Sequence, residues 1–219
     1  MILKKIENGE IPNIKKINNS IATKNLCPGV RVYGEREIRG FRVWNPKRSK
    51  LSAAIFKGLK EFPFKRDSKV LYLGAASGTT SSHISDIVDS GIVYCVEFSP
   101  RVFSKLLEVC KKRKNMVPIL EDARFPERYE PFIDVVDVIY QDIAQPDQVD
   151  IAKRNADYFL REGGYLFLAL KARSIDVSKS PKKVLKNEIK KLKREFNLLE
   201  KISLEPYHKD HFMIVAHYV

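Results

Sequence analysis

An α/β fold, with a mostly parallel sheet behind a small β-rich N-terminal domain, is predicted by three features of the chain. Short apolar runs alternate with helix-length segments from Lys69 onward. The last two apolar runs are joined by only a short link, Glu205 to His211. The first stretch, residues 1–65, lacks that alternation and is broken repeatedly by Asn, Gly and Pro.

Within residues 1–65, Val30 and Val32 alternate with Arg31 and Tyr33, Gly34 and Gly40 punctuate, and Phe41 and Val43 resume, a pattern of small antiparallel strands. Asn45-Pro46 closes the run. Ser49 stands where it can cap a helix carrying Leu51, Ala54, Ile55 and Leu59 at helical spacing. Residues 66–219 place buried strands at Val70–Leu73, Ile92–Val96, Met116–Leu120 and Val135–Tyr140, with Gly163-Gly164 preceding a fifth at Tyr165–Leu170. Helices are expected from Ser81, from Pro100 and from Asp147 between them, and such alternation implies a parallel sheet covered on both faces. A helix follows with Ser180 as cap and Pro181 at its first position, carrying Val184, Leu185, Ile189, Leu192 and Phe196 as an apolar stripe. The final runs, Leu198–Leu204 and Phe212–Val219, must form an antiparallel hairpin, because a parallel crossover needs about a dozen residues or more. Seven strands with the last reversed is the Rossmann-like pattern of class I methyltransferases.

Lys and Arg number 40 against 27 Asp and Glu, a net charge of +13. Such a surplus favours a polyanionic partner through counterion release, although a solvated lysine-rich surface gives the same figure. The basic clusters Lys111–Lys114 and Lys182–Arg194 are open to both readings. No apolar run spans a bilayer and the start has no secretory h-region, so no membrane association and a cytoplasmic location are expected. Cys27, Cys95 and Cys110 are odd in number and far apart, against a disulfide framework or zinc module.

The sharpest local signal is Leu73-Gly74-Ala75-Ala76-Ser77-Gly78-Thr79-Thr80, which follows the first buried strand and opens a helix. Small residues there let a ligand approach the backbone, and the helix N-terminus offers free N–H groups. The loop lacks the GK[ST] of a P-loop and one glycine of GxGxxG. Glu97 ends the second strand, at about the 20-residue distance where Rossmann-like sheets place the acid that grips ribose. Asp122-Ala123 follow the third strand and Asp142 the fourth, so acids converge on the crevice where open α/β sheets bind ligands. An acid after the third strand suits an adenine amino group. With the reversed last strand, it favours S-adenosylmethionine over a dinucleotide; an NAD-dependent oxidoreductase is the competing reading.

The Gly74–Thr80 stretch, Val96-Glu97-Phe98-Ser99, Asp122-Ala123-Arg124-Phe125-Pro126 and Tyr140-Gln141-Asp142-Ile143-Ala144-Gln145-Pro146 closely resemble fibrillarin, as do Arg42–Pro46 and Arg48–Leu51. The resemblance runs in order over nearly the whole chain. Without the Gly/Arg-rich extension of the eukaryotic form, the chain is similar to the compact archaeal one. The resemblance implies an RNA 2′-O-methyltransferase for rRNA and tRNA. A box C/D guide RNA would select its target, and a Nop-type scaffold and a kink-turn-binding ribosomal-type protein would hold the assembly.

It also implies roles for residues. Gly74, Ala75 and Ala76 would form the donor loop, with Thr79 and Thr80 by the methionine end. Glu97 would hold the ribose and Phe98 would lie against the adenine, whose edge would meet Asp122 and Ala123. Asp142, Ile143, Ala144 and Gln145 would border the sulfonium. The catalytic Lys-Asp-Lys-His set of related RNA methyltransferases falls on Lys50, Asp142, Lys171 and His208. Lys171 is the candidate base, in a neutral state favoured by desolvation and nearby cations. Lys50 and His208 would steer the ribose or its phosphate. His208 and His211 have no third ligand at metal spacing, so no metal is expected. The alternatives are a protein glutamine methyltransferase, an activity associated with the eukaryotic form, and a non-catalytic scaffold subunit with a vestigial pocket.

Overall fold

In the computed structural model, which describes residues 1–219, two sheets share one interior. The N-terminal part runs α1 (Ile2–Glu7), β1 (Ile14–Ile17), β2 (Ser20–Lys24), β3 (Glu37–Ile38), β4 (Phe41–Trp44) and α2 (Lys50–Phe56). Its strands form an antiparallel sheet of order β1-β2-β4-β3. There follow β5 (Lys69–Leu73), α3 (Thr79–Ile87), β6 (Ile92–Glu97), α4 (Pro100–Cys110), β7 (Met116–Leu120), β8 (Val136–Gln141) and α5 (Gln148–Phe159). The chain ends with β9 (Leu160–Lys171), α6 (Ala172–Ile175), α7 (Pro181–Leu192), β10 (Phe196–Ser203) and β11 (His211–Tyr218). The seven-stranded sheet has the order β10-β11-β9-β8-β5-β6-β7. Strands β5 to β9 pair in parallel, and β11 runs antiparallel to both β9 and β10, as the short link requires. No helix is long and apolar enough to cross a membrane.

Alternation along β5 shows why both faces are covered. Val70 and Tyr72 point into a core shared with Ile21, Trp44 and Leu51 of the N-terminal part. Leu71 and Leu73 point into the opposite core, beneath Val149 and Ala152 of α5 and Val184 and Leu192 of α7. Each such side chain, once fully buried, contributes about 1.5–3 kcal/mol.

A buried polar cluster fastens the first sheet to α3. Asp86 accepts from Arg113 Nη1 at 2.6 Å, Arg42 Nε at 3.1 Å, Thr23 Oγ1 at 2.7 Å and the Leu26 N–H at 3.1 Å. Arg42 also pairs with Glu35 at 3.1 Å, so two guanidinium groups face two carboxylates, all out of water. The carboxylate can only accept, so the Thr23 hydroxyl donates to it and receives from His83 Nδ1 at 2.7 Å. The His83 ring stacks on Trp44 with centroids 5.0 Å apart. Burial first, and then the charges of Arg42 and Arg113, push His83 well below the ordinary histidine range.

Three local expectations need correction. Residues 30–33 form no strand: the Glu35 carboxylate takes the Val32 and Tyr33 N–H groups at 3.0 and 2.8 Å, which removes them from any ladder. The first hairpin lies earlier, where β1 and β2 meet at Asn18, whose φ of 54° makes the turn. Gly163 and Gly164 fall inside β9, not ahead of it. The pairing with β8 jumps there from Val136↔Leu160 to Val138↔Tyr165, and Gly163 supplies a φ of 67° for the irregularity. Ser180 is the N-cap of α7 with Pro181 in its first turn, as expected, and it caps through its carbonyl, to Lys183 and Val184, not through its hydroxyl. Ser49 does cap α2, accepting from the Ser52 N–H at 3.4 Å.

Candidate active site

The carboxyl ends of β5, β6, β7 and β8 open onto a cavity of about 280 Å³, close to the lower end of small-molecule sites. Ten of the residues expected to hold the donor line it: Gly74, Ala76, Glu97, Phe98, Asp122, Ala123, Asp142, Ile143, Ala144 and Gln145. Lys171 lines it as well, with Val96, Glu121 and Ile151, to which sequence reasoning gave no role at the donor site. Ala75, Thr79 and Thr80 stand outside its wall. Thr80 is buried and donates instead to Ser49 Oγ at 3.0 Å.

Gly74 is required by space. With φ at 78°, a Cβ there would lie 2.6 Å from the Asp142 carbonyl oxygen and 2.8 Å from Ile143. The loop after β5 and the loop after β8 therefore pack closely backbone against backbone, which fixes Asp142 against the cavity. Glu97, nearly buried, braces the other side: its carboxylate accepts from the Ala76 N–H at 2.9 Å and the Ser99 N–H at 3.0 Å. Asp122 is gripped by Arg124, whose Nη2 lies 2.6 Å away, and these hydrogen bonds hold its carboxyl below the usual range. Phe98 is 63% exposed at the rim, an apolar face with no protein cover.

The expected catalytic set assembles from distant elements. Lys50, first residue of α2, donates to Asp142 Oδ2 at 2.8 Å. Lys171, last residue of β9, places Nζ 3.0 Å from Oδ1, off the hydrogen-bonding axis. Burial pushes the Asp142 carboxyl upward, but the two lysine charges, with the Lys50 hydrogen bond, outweigh it and hold it below the usual carboxylate range. His208 Nε2 donates to the Pro46 carbonyl at 2.8 Å, and burial and the Lys50 charge lower its pKa, favouring a neutral ring. His208 thus reaches the set through the loop before Lys50.

Behind Lys171 lies a clamp that sequence reasoning also missed. The buried Gln148 side chain accepts from the Lys171 N–H at 3.0 Å and donates to its carbonyl at 3.2 Å. Gln141 in turn donates to the Gln148 carbonyl at 2.6 Å. The tail of β9 is therefore tied to the first turn of α5 by a two-point amide contact.

A sheet of this order with only its last strand reversed, and with acids from successive strand ends around one cavity, defines a class I methyltransferase fold. Comparison with known proteins narrows it. The family model described as Fibrillarin matches residues 4–219, and the chain belongs to that family. It is 56% identical over 203 residues to the "Fibrillarin-like rRNA/tRNA 2′-O-methyltransferase" of Methanopyrus kandleri, covering 90% of this chain and 88% of the relative. Among solved structures it is similar to Aeropyrum pernix fibrillarin in complex with natively bound S-adenosyl-L-methionine. That match has a TM-score of 0.85 and 50% identity, covering 93% of this chain and 92% of the other. A fibrillarin/Nop5p complex matches with a TM-score of 0.91 and 44% identity, covering 95% of this chain and 99% of the other.

Proposed function

We propose that this chain is an S-adenosylmethionine-dependent RNA ribose 2′-O-methyltransferase acting on rRNA and tRNA. It serves as the catalytic subunit of a box C/D guide ribonucleoprotein, held there by a Nop-type scaffold and a kink-turn-binding protein. The activity named for the Methanopyrus relative, the donor bound by the Aeropyrum protein and the Nop5p complex of another relative support this reading. The observation that carries it is Lys171: it lines the donor cavity and also touches the Asp142–Lys50 pair.

The cavity suits the donor on its own chemistry. Glu97 offers a carboxylate for ribose hydroxyls, Phe98 a face for adenine, and Asp122 with the Ala123 backbone an edge for its amino group. When bound, S-adenosylmethionine supplies a methyl group on positively charged sulfur, a good leaving group. The protein must then align a ribose hydroxyl and receive its proton. Two ammonium groups share one carboxylate in this site, a surplus cation that a cationic ligand alongside increases. Lys50 is held by an aligned hydrogen bond at 2.8 Å whereas Lys171 is not, so Lys171 is assigned as the residue that takes the 2′-hydroxyl proton. Asp142 keeps Lys171 in place, and Lys50 with His208 positions the acceptor ribose.

Reconstitution with a guide RNA, the Nop-type protein and the kink-turn-binding protein, followed by mapping of methylated riboses, tests the whole reading. Lys171→Ala is expected to abolish transfer while calorimetry still detects donor binding; full activity in that variant would remove Lys171 from the mechanism.

A further inference from the structure

The geometry points to an RNA-backbone groove between α7 and the edge of the large sheet, leading to the catalytic lysine; we infer that it holds the strand flanking the methylated nucleotide. This rests on the function proposed above and adds a location for the acceptor RNA. The groove lies between α7 and the β10–β11 hairpin and encloses about 540 Å³. Lys182, Lys186, Lys190 and Lys193 line one wall and Lys201 the other, all exposed and none in an ion pair. Lys182, Lys186 and Lys190 recur every four residues, about 6 Å along the helix axis, so they form a ladder of charges. The one acid of α7, Glu188, is buried and paired with Lys191, so nothing on this wall neutralises the ladder.

The groove also leads somewhere. Ser203 on β10 pairs with Phe212 on β11, and Phe212 pairs with Leu170, the residue before Lys171. Helix α7 begins at the same end, with Lys182 in its first turn. A polyanion laid along the ladder therefore ends beside the carboxyl end of β9, the strand that carries Lys171. A repeating cation row with a partly apolar floor, Leu185 and Ile189, fits a flexible chain of phosphates and sugars. An acidic protein surface, the other polyanion available, does not call for evenly spaced charges.

The test compares Lys186→Glu/Lys190→Glu/Lys201→Glu with a charge-matched control, Lys111→Glu/Lys112→Glu/Lys114→Glu, in the full chain. The probe is a short labelled single-stranded RNA, titrated over a range of salt. The groove variant is expected to bind at least tenfold more weakly, with a log–log salt slope shallower by about 2, from about 0.7 per lost phosphate contact on a single strand. In the assembled particle it is expected to raise KM for target RNA while leaving kcat and donor affinity near the parental values. Equal affinity and slope in the groove variant and the parent would overturn the proposal, as would an equal loss in the control. So would a variant that binds RNA normally but fails to join the Nop-type protein. An inactive parental particle whose RNA affinity still depends on these three lysines would sink the enzymatic reading and leave the groove standing.

Discussion

Replacing Gln148 with leucine isolates the contribution of the clamp behind Lys171. Leucine fills a similar volume, so the loss is polar. The Lys171 N–H and carbonyl lose partners at 3.0 and 3.2 Å, while the carbonyl of residue 148 remains available to Gln141. Each orphaned group costs about 1–3 kcal/mol, so the protein loses about 2–6 kcal/mol. For a chain of this size that lowers Tm by about 10 °C. The catalytic loss is a separate quantity. Freed of the clamp, the end of β9 carries Nζ off its 3.0 Å approach to Asp142, and a displacement of about 1 Å at a reacting group costs about 100-fold in rate. Single-turnover methylation by the reconstituted particle measures the rate, and calorimetry measures Tm. Gln148→Glu retains the acceptor for the Lys171 N–H and is expected to recover part of the rate. A rate within twofold of the parent, alongside the expected fall in Tm, would show that the clamp supports the fold alone.

Asp86→Asn leaves Arg42 and Arg113 facing a single carboxylate out of water, and should cost about 3–5 kcal/mol in denaturant unfolding. Folded His83 stays neutral while unfolded histidine binds a proton below about pH 6.5, so stability falls with pH there by up to about 1.4 kcal/mol per unit. Unfolding curves between neutral and mildly acidic pH should show that slope, and His83→Gln should flatten it. Gly74→Ala forces a methyl group to within 2.6 Å of the Asp142 carbonyl at a left-handed φ; calorimetry should find donor binding lost and Tm lowered.

The strands of the large sheet were legible because β5, β6 and β8 are largely buried on both faces and read as mostly apolar runs, and because seven residues cannot carry a parallel crossover. The first hairpin was less so. Ile14 and Ile17 flank two lysines without strict alternation, and the Asn18-Asn19 pair that turns the chain was the available signal. Val30 and Val32 alternate like a strand, yet a carboxylate three residues on captures their neighbourhood, a tertiary effect that periodicity does not register. At the site, the acids after successive strands were visible as a phase relation. What stayed hidden was everything that supports them. Gln148 is an unremarked amide in a helix until its two contacts with Lys171 are seen, and the Asp86 cluster gathers residues from positions 23 to 113.

Thr80, expected beside the donor, makes one bond that matters for the catalytic side. Its hydroxyl grips Ser49, the residue that starts the helix bearing Lys50. The strand-to-helix turn after β5 and the helix start that presents Lys50 to Asp142 are thus joined by one hydroxyl pair. The side of the cavity built after β5 and the cation that meets Asp142 therefore rest on one shared anchor.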